Sequence, residues 1–64
     1  MANLTDELQK QIERNRKLLL EKAIDGGDLL VRDLIAMDIR RAEGFVRNGD
    51  LGGMSRMVKV LKEN

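Results

Sequence analysis

Residues 28–47 constrain this chain more than any other stretch. At about 100° per residue, their apolar side chains spread over an arc of roughly 200°, wider than one packing partner covers. The arc divides into two stripes of helical spacing. Leu30, Leu34, Met37, Arg41 and Phe45 make one; Val31, Ile35, Asp38, Ala42 and Val46 make the other, with Ile39 at its edge. Each stripe carries a single charge. A helix with two apolar stripes needs two things to pack against.

The segment before it, residues 4–24, predicts an amphipathic helix. Asn3 or Thr5 can cap its start, and Asp6 and Glu7 suit the positive end of the helix dipole. Leu4, Leu8, Ile12, Asn15, Leu19 and Ala23 share one face, with Leu18 beside them. Leu20 and Ile24 fall opposite that face and need cover from a second chain, a third helix or a partner. Asn15 interrupts the stripe with an amide. It either fixes the pairing register from a buried position or stays wet where the stripe curves away.

Turn chemistry punctuates the rest. Asp25-Gly26-Gly27-Asp28 is a stop followed by a start, with Asp28 as the cap of the second helix. It offers too few oxygens in too loose an order for a calcium loop. The same grammar recurs at Asn48-Gly49-Asp50-Leu51. A third helix over 51–62 places Leu51, Met54, Met57, Val58 and Leu61 on one face and Arg56, Lys59 and Lys62 on the other. Gly44 weakens the second helix by up to about 1 kcal/mol relative to Ala. Gly52 and Gly53 predict a loose first turn in the third.

These elements predict a single all-α domain over residues 1–64: an antiparallel helical hairpin with a short third helix. A chain this short is marginal alone, and it has no Cys for a disulfide and no His for a zinc site. Oligomerisation is the remaining support, so two hairpins are expected to pair as a homodimer with a four-helix-bundle-like core. Leu8, Ile12, Asn15, Leu19, Leu30, Leu34, Met37, Asp38, Arg41 and Phe45 are the expected core or dimer positions. Asp38 and Arg41, at i,i+3, are close enough to touch.

The missing residue types also restrict function. Without His, Cys or Tyr, and with only Thr5 and Ser55 as hydroxyls, the chain has little means of acid–base or nucleophilic catalysis. No phosphate-binding glycine motif is present, and neither cofactor nor metal is expected. No leader sequence or membrane span is expected, which points to the cytoplasm. The charge is nearly balanced, with 12 basic against 11 acidic residues. A basic tilt at the C-terminal end keeps a dimeric DNA-binding regulator in view, with Arg56, Lys59 and Lys62 as the contacts. Phe45, the single aromatic, excludes a base-stacking platform.

Binding to another protein is the leading expectation, as an adaptor, regulator or inhibitor. The apolar positions left after dimerisation, with Arg at their rim, are Leu20, Ile24, Ile35, Ile39, Arg40 and Val46. A purely structural oligomerisation module is the other alternative. In size, helicity and lack of catalytic groups, the chain is similar to the short helical accessory proteins with which bacteriophages and mobile elements bind and inhibit host proteins. That general likeness rests on no motif.

Overall fold

A computed structural model describes residues 3–24, 26 and 29–64. It contains three helices, α1 (Leu4–Ile24), α2 (Leu29–Asn48) and α3 (Leu51–Glu63), each packed against both others. The described residues form no strand.

Local chemistry sets the helix ends. Asn3 caps α1: its Oδ1 accepts from the Asp6 amide at 2.8 Å, and its carbonyl accepts from Glu7 at 3.1 Å. Thr5, the alternative cap, instead points its hydroxyl at the Met54 sulfur, 3.9 Å away on α3. Gly26 lies at φ +69°, where a side chain would be strained. The expected cap Asp28 lies outside the described residues. At the other junction Gly49, at φ +68°, ends α2. Its amide donates to Val46 O at 3.2 Å, and the Asp50 amide donates to Phe45 O at 3.0 Å. This pair of bonds is a Schellman motif, which satisfies two carbonyls at the helix end. Asp50 then starts α3 by accepting from the Gly53 amide at 3.0 Å.

The core draws on all three helices: Leu8 and Ile12 from α1, Ile35, Ile39 and Ala42 from α2, and Met54, Met57, Val58 and Leu61 from α3. Leu4, Leu18, Leu19, Phe45, Val46 and Val60 pack around them, partly buried. Three mutually packed helices turn one arc each toward a common centre. On α2 that arc is the Ile35–Ile39–Ala42–Val46 stripe, which α1 and α3 cover together.

One expectation changes as a result, and a second keeps only its dimer half. Ile35 and Ile39, read as leftover partner-binding positions, are buried in the core of a single chain. Leu30, Leu34 and Met37, read as core or dimer positions, are exposed on α2. The two stripes of α2 do not each find a partner within the chain: α1 and α3 both pack on the Ile35 side and leave the Leu34 side outward. Phe45 belongs to the outward stripe yet turns against α3, because Gly53 leaves room for it. A Cβ at Gly53 would fall 2.5 Å from the Phe45 ring. The first turn of α3 is therefore a seat for that ring, and Gly53 itself is buried. Gly44 has nothing within 4 Å of where its Cβ would be, so no close backbone approach accounts for it.

Asn15 is wholly buried within the chain. Its Nδ2 donates to Gln11 O at 2.8 Å and across to Leu61 O at 3.1 Å, and its Oδ1 accepts from Asn64 Nδ2 at 3.0 Å. The Arg14 guanidinium donates to the same Leu61 carbonyl. A helix ends in carbonyls without intrahelical partners. Asn15 and Arg14 supply donors for the end of α3, so the polar residue in the stripe specifies where α3 docks.

Candidate functional site

The cross-helix bonds fix how far α3 reaches. Thr5 meets Met54 and Asn15 meets Asn64, so α1 and α3 run in the same sense. Phe45 packs on Gly53, and Asp38 Oδ2 accepts from Asn64 Nδ2 at 3.5 Å, so α2 and α3 run in opposite senses. Asn64 thus sits level with Asn15 and Asp38. Beyond that level α1 continues for about two and a half turns to Ile24, and the first turns of α2 lie there too. The 13 residues of α3 span roughly 20 Å, against a longest molecular dimension of 36 Å. One end of the molecule has three helices and the other has two.

The exposed large apolar side chains gather at the two-helix end. Among the described residues, Leu20, Ile24, Leu29, Leu30, Val31 and Leu34 are there, with Met37 at its border, and Leu51 is at the opposite end. Leu20 and Ile24 are 63% and 77% exposed.

These residues divide between two faces. On α1, Arg16, Leu20 and Ile24 follow one another at i+4. On α2, Leu29, Ala36 and Glu43 follow at i+7. Arg16 and Glu43 meet in an ion pair of 2.9 Å, so the two lines share one flank of the α1–α2 seam. Exposed Arg40 lies on that flank one turn from Ala36. Leu30, Leu34 and Met37 form the second face, pointing along α2 roughly 140° away from its core-facing line. Arg41 continues that face and is exposed.

Of the partner-binding residues expected from the sequence, the structure leaves Leu20, Ile24 and Arg40 accessible. Ile35 and Ile39 are buried, and Val46 is half-buried against the core. Leu8, Ile12 and Asn15 are buried and Leu19 half-buried. Asp38, half-buried, is engaged by Asn64, while Arg41 turns to solvent. The two make no ion pair, because Asp38 faces α3 and Arg41 does not. Arg56, Lys59 and Lys62 are exposed along α3, with Lys62 held by Glu7 at 3.1 Å. That acidic partner interrupts the basic set.

Sequence reasoning missed Leu29, whose place on the flank of Leu20 and Ile24 follows only from the Arg16–Glu43 contact. It also missed Asn64, whose two partners come from other helices. Among the described residues there is no enclosed pocket and no cluster of metal-ligating side chains. No helix among them is long and apolar enough to cross a membrane. Neither a protein-family model, nor a curated protein, nor a solved structure matches the chain.

Proposed function

We propose that this chain acts by binding another protein, as a small adaptor, regulator or inhibitor without catalysis of its own. One observation carries the reading: the exposed apolar side chains are concentrated at the two-helix end. At about 180 Å² for a fully exposed aliphatic residue, the Leu20–Ile24–Leu29 flank exposes roughly 370 Å² and the Leu30–Leu34–Met37 face about as much, each within the ~300–600 Å² of the largest patch on a typical monomer, which is often functional. Burying that surface is favourable by about 25 cal/mol per Å², and this gain is the driving force for association.

The flank formed by Leu20, Ile24 and Leu29, with Arg40 at its edge, suits an amphipathic helix or loop of a partner. An apolar centre with an Arg rim is a common anatomy for such contacts. The hairpin pairing of α1 with α2, and the joining of two hairpins into a four-helix core, belong to the same proposal. The second face of α2 is the surface available for that joining.

Affinity capture from the native cell extract tests the reading, using the tagged chain and its Leu20→Glu/Ile24→Glu and Arg40→Glu variants. The expected result is a partner retained by the native chain, lost with the double variant and weakened by the Arg40 change. A partner held equally by all three would refute binding through this flank. Loss of affinity for DNA with rising salt, measured on the same proteins, would favour the regulator alternative.

A further inference from the structure

We infer that the face formed by Leu30, Leu34 and Met37 is the seat of a second copy of this chain, docked antiparallel along α2 about a two-fold axis at Leu34. The inference goes beyond partner binding through the opposite flank and uses different residues. Its first support is the symmetry of the stripe. Leu34 is flanked by Leu30 one turn before and Met37 one turn after. An antiparallel copy therefore brings Leu34 to Leu34 and each Leu30 to the other chain's Met37, the self-complementary match that a two-fold contact requires.

Charge decides the direction. The stripe's charge is Arg41, at its far end. Parallel pairing would place the two Arg41 side chains against each other in an apolar seam. Antiparallel pairing separates them by roughly 14 residues of helix, or about 20 Å, more than twice the ~8 Å screening length at physiological salt.

Area is the third support. With Val31 at their side, these residues expose roughly 350 Å² of apolar surface per chain. At the ~65% apolar share of homodimer interfaces, that corresponds to about 1,100 Å² buried in total, just above the ~1,000 Å² that a specific interface needs. The expected dimer is accordingly reversible and dependent on concentration.

The lack of native Cys makes the test clean. Light scattering across a concentration series should show the 7.3 kDa chain doubling in mass, and Leu34→Glu should stay at the single-chain mass with unchanged helical circular dichroism. Leu34 is half exposed, so that variant should fold; Met37→Lys provides an independent second. Under mild oxidation, Leu34→Cys should link to its own copy and Arg56→Cys, on α3, should not. In a mixture, Leu30→Cys should link to Met37→Cys in preference to itself.

A native chain that remains monomeric at millimolar concentration overturns the inference. So does a dimer that survives Leu34→Glu, or linking that is no stronger at position 34 than at 56. Preference of Leu30→Cys for itself overturns the antiparallel direction. Failure here and failure of the partner-binding reading are distinguishable. A monomer whose capture of a partner still needs Leu20 and Ile24 sinks only self-pairing, whereas a Leu34-dependent dimer whose capture ignores those residues sinks only the other.

Discussion

Replacing Asn15 by Asp exchanges a buried amide for a carboxyl of nearly the same shape and so isolates one interaction. In the native chain the amide nitrogen donates to two carbonyls, Gln11 O at 2.8 Å and Leu61 O at 3.1 Å. An ionised carboxylate there points oxygen at oxygen in both contacts, inside a site with no solvent exposure. Arg14, already on the Leu61 carbonyl, offers partial relief. A buried charge without adequate pairing costs about 3–5 kcal/mol, a large part of the 3–10 kcal/mol expected for a chain of this size at ~0.05–0.15 kcal/mol per residue. Asn15→Ala leaves no such charge. Leu61 O keeps Arg14 and Asn64 keeps Asp38, so the loss should be about 1–3 kcal/mol, from two cross-helix hydrogen bonds at 0.5–1.5 kcal/mol each.

The two variants should also differ in pH dependence. Burial raises the folded-state pKa of the introduced carboxyl above its unfolded value of about 3.9. The unfolded chain then gives up the proton first, and the penalty grows as pH rises through that value toward the folded pKa. Urea melts followed at 222 nm, at fixed protein concentration and at pH 4 and 7, measure the effect. The gap between Asn15→Asp and the native chain should widen toward pH 7, while the gap for Asn15→Ala should stay constant. An Asp variant as stable as the native chain at pH 7, or equally destabilised at both pH values, would refute the docking role of Asn15.

Other substitutions examine other parts of the fold. Gly44→Ala should stabilise by up to about 1 kcal/mol, raising Tm by roughly 4–8 °C, because the helix gains propensity and the new methyl meets nothing. Gly53→Ala should destabilise by about 1–3 kcal/mol, since the methyl would collide with the Phe45 ring; the shift is visible in the same thermal scan. Asp50→Ala should cost about 1 kcal/mol through loss of the bond to the Gly53 amide. Ile35→Glu should unfold the chain, since Ile35 is 3% exposed; loss of circular dichroism, not merely of a dimer, is the expected readout.

The helical class of the fold was legible from spacing, and the Asn3 and Asp50 caps from residue type. Those signals act over three or four residues, so a short window contains them. The two stripes of α2 were legible as well, but their assignment was not. Ile35 and Leu34 are neighbours of equal apolar character, and only the position of α3 decides which is enclosed. The docking level of α3 matters in the same way: Asn64 sits level with Asn15 and Asp38, and Leu30 and Leu34 lie before that level on α2. Asn15 could be recognised as unusual from its place in the stripe. Its partners, Leu61 and Asn64, are more than 40 positions away, and no local pattern announces a contact at that distance.

A rod with three helices at one end and two at the other cannot breathe evenly. Amide protons around Ile12, Ile39 and Val58 should exchange with deuterium only when the whole molecule opens, whereas those near Leu20 and Leu29 should exchange through partial openings that leave α3 in place. The surface proposed for association should then also be the most yielding part of the protein, and any ligand that settles there should slow that exchange.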